Sequence, residues 1–340
     1  DLNGNYDRET VWYDDGDDNP QEYENSGWSL NVNYDLGAIT LTSITAMETA
    51  EGRSKGDIDG GVRQADDGSI TVPAGLTSAS YEDFGPQISF PGFIPFAAVT
   101  EDRMNDLEQF TQEIRFASNE TMPLSWQAGV FFFDSSFSVT SIDGFFGATE
   151  VFHENTTWAV FGQSTYQVND KLSVIGGLRY TYDEKSLSVG KQNENGFALV
   201  IGVASIQDYE DVNVDDGQLS WEGMANYRLT DDMSVYGRIS NGFRAQSIQG
   251  RDIAFEGAPS VADAETIMSY EAGFKSDLFD RTVRLNGAIF HYTIDDIQLT
   301  AVGGEGNRVG LRNAGKGVGQ GFEIDTEIRV NENLLLTAGF

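Results

Sequence analysis

Residues Asn155–Gly190 read NTTWAVFGQSTYQVNDKLSVIGGLRYTYDEKSLSVG, and apolar or aromatic side chains occupy nearly every second position on both sides of a short Asn-Asp turn. In the first half, Trp158 and Tyr166 share one face, whereas Gln163 and Thr165 share the other. Successive side chains of a β-strand point to opposite sides, so each half has one apolar and one polar face. The pattern predicts two antiparallel strands that separate an apolar medium from water.

The same alternation recurs along most of the chain. The runs exceed the roughly 5–6 residues of a typical strand in a soluble protein and reach the about 9–11 residues that a tilted transmembrane strand needs. Aromatic side chains recur near the ends of the apolar faces, as in the interface girdles of outer-membrane barrels. The expected lipid-interface aromatics are Trp28, Tyr34, Trp158, Tyr166, Trp221 and Tyr227.

Short and long connections alternate along the sequence. Outer-membrane barrels have short periplasmic turns and long extracellular loops, whereas a soluble sandwich has no reason to place every long loop at one end. The long loops are expected at about 50–105, 141–154, 190–216, 247–264 and 301–311. Roughly 12 strands are expected near 27–35, 38–49, 107–118, 124–138, 155–168, 172–189, 217–229, 233–246, 266–277, 282–298, 312–330 and 334–340. The prediction is an all-β, antiparallel transmembrane β-barrel.

Composition narrows the possible functions. The chain of 340 residues has a formal net charge of −33, which disfavours nucleic acid because phosphates select basic surfaces. It contains no cysteine and only two histidines, without paired spacing, so we expect no catalytic residues, no metal site and no cofactor. No apolar run is long enough for a transmembrane helix, and no signal peptide is visible at Asp1.

Five segments resemble the barrel of TonB-dependent outer-membrane receptors, and together they cover nearly the whole chain apart from the long loops. They are FTQEIRFAS (110–118), LSVIGGLRYTYDEK (172–185), SVYGRISNGFRAQSIQGRDIAF (234–255), SYEAGFKSDLFDRTVRLNGAIFHY (269–292) and NAGKGVGQGFEID (313–325). Each segment is weak evidence alone, but five in order at barrel spacing are specific.

This resemblance implies a plugged barrel of about 22 strands in the outer membrane of a Gram-negative bacterium. It also implies uptake of a scarce nutrient, energised by the TonB–ExbB–ExbD complex. Residues 1–340 are expected to be an interior fragment of the barrel domain, with roughly 12 of its strands and without the plug domain, the TonB box or a signal peptide. The expected partners are outer-membrane lipid, the TonB complex and a small-molecule nutrient, with no nucleic acid.

Charged residues and glycines on the wet faces are the candidate site. Substrate contacts in the lumen or vestibule are assigned to Arg179, Arg238, Arg244 and Arg251. Contacts with the plug are assigned to Arg115, Glu222, Glu271, Gly315, Gly317 and Gly319. The glycines come from GKGVGQG, which alternates into a strand, whereas a phosphate-binding loop would need a following helix.

Four functions remain open from the sequence. The first is active uptake of a ferric siderophore or similar iron chelate, and the second is a related receptor for carbohydrate or another organic substrate. The third is a passive porin-like barrel in which roughly 12 strands close on themselves. Closure would be needed because lipid cannot satisfy the backbone groups of an unpaired strand edge. The fourth is a barrel enzyme that uses His153, which is predicted to lie in a loop.

Overall fold

A computed structural model describes residues 20–57, 63–64, 70–71, 99–119, 123–143, 147–194, 208–250, 253, 258–303 and 308–340. The strands are β1 (Gln21–Asp35), β2 (Ile39–Asp57), β3 (Arg63–Gln64), β4 (Ile70–Thr71), β5 (Val99–Ser118), β6 (Leu124–Asp143), β7 (Gly147–Gln167), β8 (Leu172–Glu194), β9 (Val212–Thr230), β10 (Met233–Arg244), β11 (Ser247–Gln249), β12 (Ser260–Ala262), β13 (Glu265–Leu278), β14 (Val283–Gly303), β15 (Arg308–Asn331) and β16 (Leu334–Gly339). No helix among these residues is long and apolar enough to cross a membrane.

Twelve strands form one antiparallel sheet in the order β1-β2-β5-β6-β7-β8-β9-β10-β13-β14-β15-β16. Each strand pairs with the next long strand along the chain, so the predicted all-β meander and its strand number are confirmed. The remaining strands form the small hairpins β3–β4 and β11–β12. The sheet is open, because β1 and β16 are its two edges and do not pair with each other.

The meander gives the sheet two different ends. Connections such as residues 36–38, 168–171 and 231–232 lie at one end, which we call the short-turn end. Asn169 shows how these turns are fixed, since its side-chain oxygen accepts hydrogen bonds from the backbone N–H groups of Lys171 and Leu172 at 2.9 and 3.0 Å. The other end carries the longer connections and is called the long-loop end.

Several strands extend beyond their predicted starts and ends at the long-loop end. β6 ends at Asp143 and β7 begins at Gly147, so most of the loop expected at 141–154 is strand. β8 reaches Glu194 and β14 reaches Gly303, and both also shorten predicted loops. The strict alternation fades there because apolar residues such as Val151 and Leu187 occur on the otherwise polar face, although the backbone ladder continues. His153 accordingly lies in β7, and its prediction as a loop residue was wrong.

The strand register separates an apolar face from a polar face. Directly opposed residues of an antiparallel pair point to the same side of the sheet. Val160 lies opposite Val130 and Tyr180, and this surface is 52% exposed at Val160. Ala159, one position earlier, points to the polar face and is 1% exposed. Hence the faces predicted from the alternation are those that the sheet presents.

All six predicted interface aromatics lie on the apolar face. Several of their register partners are apolar: Trp28 lies opposite Met47, and Trp221 lies opposite Leu178. Trp158 also packs against Tyr180 and Tyr182, with ring centroids 5.6 and 5.9 Å away. Their contact with the lipid interface stays a prediction.

The two faces make opposite predictions for an added charge. We expect Val160→Arg to destabilise the folded complete protein by about 2–4 kcal/mol, because lipid cannot solvate a cation near the bilayer midplane. Thr165→Arg, on the polar face of the same strand, should have much less effect. Urea unfolding in lipid vesicles would measure both, and equal losses would contradict the assignment of the faces.

Candidate functional site on the polar face

The polar face collects the charged and glycine residues predicted for the site. By register, Arg115, Arg179, Arg238, Glu222 and Glu271 all point to it. The predicted glycines Gly315, Gly317 and Gly319 share this face, and Arg244 lies exposed on it at the end of β10. Arg251 lies outside the described residues.

Four side chains form a continuous hydrogen-bonded chain across the middle of this face. Arg238 donates to Glu222 at 2.8 Å, Gln163 donates to Glu222 at 2.6 Å, and Gln127 donates to Gln163 at 3.3 Å. The chain crosses β8 at Gly177, where an added Cβ would lie 3.2 Å from the Glu222 side chain. Gly177 therefore gives Gln163 on β7 room to reach Glu222 on β9.

Arg179 lies beside this chain and close to two aromatic rings. Its guanidinium carbon is 5.4 Å from the centre of the Phe131 ring and 5.5 Å from that of Phe161, which are cation–π distances. Its Nε donates to the Thr181 hydroxyl at 3.1 Å. These contacts keep the guanidinium group near the rings of β6 and β7 on the polar face.

Arg179 and Arg238 line the same open depression of about 430 Å³. The depression forms because five of the residues that line it have very small side chains. Phe161 and Ile267 also line it. The small residues are Gly177, Ser220, Ser240, Gly242 and Ser269. Two predicted substrate residues and one predicted plug residue, Glu222, thus share one site.

A larger depression of about 710 Å³ opens on the other side of the sheet. Its lining is almost wholly apolar and includes small residues on the apolar face, such as Gly223, Ala225 and Gly237. A surface of this chemistry suits hydrocarbon chains, whereas the charged side chains lie in the polar-face depression.

The glycines of β15 make room for side chains of the neighbouring strand. Tyr292 lies directly opposite Gly319, and its ring occupies the space that a Cβ at Gly319 would need. Ile297 does the same at Gly317, whereas nothing lies within 4 Å of a Cβ at Gly315. The same arrangement recurs where the Tyr236 ring covers Gly273, and its hydroxyl donates to Glu271. The assignment of Gly315, Gly317 and Gly319 to plug contacts stays a prediction.

The short hairpin β11–β12 folds onto the polar face at the long-loop end. Ile253, 1% exposed, packs with Val151 and Leu187, while Ile248 and Tyr209 border this cluster. The hairpin also contacts β15, so it spans from β8 to β15 over the strands between them. The loop predicted at 247–264 therefore contains the strands β11 and β12.

Gln298 and Asn313 fasten the base of this hairpin. Buried Gln298 accepts a hydrogen bond from the Ser247 hydroxyl at 2.8 Å and donates to the carbonyls of Ala245 and Asp263 at 2.8 and 3.0 Å. Asn313 accepts from the Asp263 N–H at 2.7 Å and donates to the Asp263 carbonyl at 2.9 Å. The sequence analysis missed both residues, because their partners at the base of the hairpin are more than 30 residues away along the chain. The available signal was the apolar pair Ile248 and Ile253 within a polar segment.

His153 lies at the long-loop end, beyond Trp158 along β7. Its ring stacks on Phe137 with centroids 4.8 Å apart. Burial lowers the pKa of its imidazole from the usual value, so the ring is neutral at neutral pH. This environment fits an aromatic packing contact.

Comparison with known proteins identifies the family. The family described as "TonB dependent receptor-like, beta-barrel" matches residues 1–340. The chain belongs to this family. Its apolar face is therefore the lipid-facing side of an outer-membrane barrel of a Gram-negative bacterium, and its polar face lines the lumen.

Relatives of this TonB-dependent receptor barrel include the pesticin receptors of Yersinia. That of Yersinia enterocolitica is 31% identical over 175 residues, which are 51% of this chain and 24% of the relative. That of Yersinia pestis is 30% identical over the same length. The aligned part is thus about a quarter of either relative.

Solved receptor structures share the fold. The ferric yersiniabactin uptake receptor FyuA from Yersinia pestis superposes with a TM-score of 0.66 at 17% identity, covering 93% of this chain and 42% of that one. The ferric-catecholate import receptor Fiu from E. coli K12, in its closed form, gives 0.60 at 12% identity, covering 96% and 48%. This chain spans less than half the length of either receptor.

Two glycines of β15 allow a matched test of ring packing. We expect Gly319→Ala to destabilise the complete receptor by about 1–3 kcal/mol, because the methyl group would collide with the Tyr292 ring. Gly315→Ala, in open space, should change stability little. Urea unfolding in vesicles would compare them, and equal stability would show that the ring is easily displaced.

Removing the Gln298 side chain should loosen the hairpin. Gln298→Ala leaves two carbonyls and one hydroxyl without this partner, a local loss of about 1–3 kcal/mol. We expect faster tryptic cleavage at Arg251 in the purified receptor, followed by mass spectrometry. Gln320→Ala, on the lipid-facing side of β15, is the control; unchanged cleavage in Gln298→Ala would show that the hairpin does not depend on this residue.

Proposed function

We propose that the complete protein imports an iron chelate, most specifically a ferric siderophore, across the outer membrane with energy from the TonB–ExbB–ExbD complex. The observation that carries this proposal is the family match over residues 1–340. Two structural relatives support iron as the cargo: FyuA is a ferric yersiniabactin uptake receptor and Fiu a ferric-catecholate import receptor. The TonB complex would act through a part of the protein beyond these 340 residues.

The polar face is suited to line such a pathway. It carries charged, amide and hydroxyl groups along the membrane-spanning part of the strands, where charges are expensive without a functional or structural role. The long-loop end would face the outside, and the β11–β12 hairpin with Arg244 would border the entrance. The protein would act as a receptor and transporter without catalysing a reaction.

The passive-porin alternative receives less support. A porin must close its sheet, because lipid cannot satisfy the backbone groups of an exposed strand edge. The twelve long strands leave β1 and β16 as open edges in the described part of the chain. Further strands from the same protein would close these edges in a receptor-sized barrel.

Uptake in an iron-starved Gram-negative strain tests the proposal. The complete receptor gene should restore growth on at least one member of a panel of ferric siderophores, and radioactive iron should enter the cells. Deletion of tonB should abolish both, because a plugged receptor needs energy to release its cargo.

The controls separate the alternatives. A strain carrying the empty vector fixes the background uptake. Uptake that persists without TonB would support a passive porin, and TonB-dependent growth on an organic nutrient with no iron uptake would support a receptor for another substrate.

A further inference from the structure

The hairpin β11–β12 is attached to the polar face on both of its sides. β11 is only three residues long, yet it contacts β8 on one side and β15 on the other. Four strands of the sheet, β9, β10, β13 and β14, lie between these two contacts. The hairpin therefore crosses the inner side of the wall at the long-loop end, and the nature of each attachment decides whether it can leave.

The attachment to β8 is apolar. Leu187 and Ile253 are 0% and 1% exposed, and Val151 of β7 belongs to the same cluster. The chain approaches β8 closely at Gly250, where an added Cβ would lie 2.8 Å from Cδ1 of Leu187. Detachment would expose Leu187 and Ile253 to water, and the loss of this buried apolar surface opposes it.

The attachment to β14 is polar and buried. The side chain of Gln298 bonds to Ala245 and Ser247, where the chain enters the hairpin. The same side chain bonds to Asp263, where the chain leaves it. The backbone N–H of Gln298 also donates to the Glu265 carboxylate at 2.7 Å. Departure of the hairpin would break the three side-chain bonds together, and a buried amide without partners is costly.

The attachment to β15 adds hydrogen bonds from two more side chains. The hydroxyl oxygen of Ser260, in β12, accepts from the backbone N–H of Leu311 at 2.9 Å. Asn313 bonds to both backbone groups of Asp263 and also donates to the carbonyl of Asp296 at 2.7 Å. Apolar burial on β8 and hydrogen bonds on β14 and β15 thus hold the same short hairpin, so opening requires all of them to break.

We propose that the hairpin β11–β12 is a fixed brace of the long-loop end, which remains attached to β8, β14 and β15 throughout the transport cycle. Its part concerning transport rests on the proposed uptake function. A lid has to release and regain its contacts in each cycle, and segments that do so have few buried apolar contacts. The hairpin has buried apolar side chains and a buried, hydrogen-bonded amide instead. The cargo would therefore enter beside the hairpin, past other connections of the long-loop end.

Ser260 and Gly310 allow the attachment to β15 to be locked by a disulfide. The Cβ of Ser260 lies 3.8 Å from the position of a Cβ at Gly310, and the two Cβ atoms of a disulfide are about 3.8 Å apart on average. These 340 residues contain no cysteine, so Ser260→Cys with Gly310→Cys adds a single pair to them. We expect the disulfide to form in the folded complete receptor, where mass spectrometry of the joined peptides would detect it.

Uptake by the locked receptor tests whether the hairpin has to move. The probe is a ferric tris-catecholate, tris-hydroxamate or phenolate chelate that the parent receptor transports, labelled with radioactive iron. Because a brace stays in place, we expect the same initial uptake rate in iron-starved cells before and after a reductant opens the disulfide. The single variants Ser260→Cys and Gly310→Cys, given the same reductant, control for the substitutions and for the treatment.

Amide hydrogen exchange in the purified parent receptor tests the attachment without transport. The N–H group of Asp263 donates to the side chain of Asn313, so its exchange reports on the base of the hairpin. We expect the peptide that contains Asp263 to exchange about a hundredfold or more slowly than an unprotected chain. Gln298→Ala should accelerate this exchange, whereas Gln320→Ala, on the lipid-facing side, should leave it unchanged.

The possible outcomes have different meanings. Uptake that is lost in the oxidised double variant and recovered on reduction would overturn the brace and make the hairpin a lid. A double variant that folds, as heat-modified mobility reports, but forms no disulfide would show that Ser260 and Gly310 are not adjacent and would also overturn it. Rapid exchange at Asp263 in the parent receptor would do the same. Absence of TonB-dependent iron uptake by the parent receptor would instead reject the proposed function, and the exchange rates would then decide whether the hairpin is fixed.

Discussion

Lipid offers no hydrogen-bond partner to a backbone N–H or C=O group, and this constraint shapes the whole sheet. Each membrane-spanning strand must pair with a neighbour on both sides, which an antiparallel meander achieves with short turns at one end. The ladders of β7 with β8 and of β14 with β15 show the result, since they continue with few interruptions over almost the full strand lengths. Once the ladder is fixed, every side chain is assigned to lipid or to the lumen.

The shape of the lumen-facing surface depends on its glycines and other small residues. Gly177 lets Gln163 bond to Glu222 across an intervening strand, and Gly319 provides the space that the Tyr292 ring fills. A glycine weakens a strand when it is considered alone, but a neighbouring ring that covers it recovers packing. Glycines and serines in place of larger side chains also form the depression beside Arg179 and Arg238. Shape and electrostatics on this face thus arise from pairs of strands.

The long-loop end is organised differently from the rest of the sheet. There, apolar residues such as Val151 and Leu187 occur on the polar face, and the connection after β10 returns to this face as a hairpin. Gln298 and Asn313 pair with the backbone groups at its base, while Ile253 fills an apolar cluster. Because side chains of β14 and β15 hold a hairpin that packs on β8, the upper lumen is organised by contacts between distant strands.

The sequence alone determined the fold class, the two faces and the family. Alternation reports directly which residues share a face, so it places Trp158, Gln163 and Arg179 on the faces that the sheet presents. The sequence could not determine which polar residues meet, because register between strands depends on turn geometry and on the pairing of many residues at once. Only the tertiary structure joined Arg179 and Arg238 in one depression and brought Gln298 to the base of a hairpin about 50 residues earlier. Alternation is a property of one strand, whereas a site on a barrel wall is a property of several strands in register.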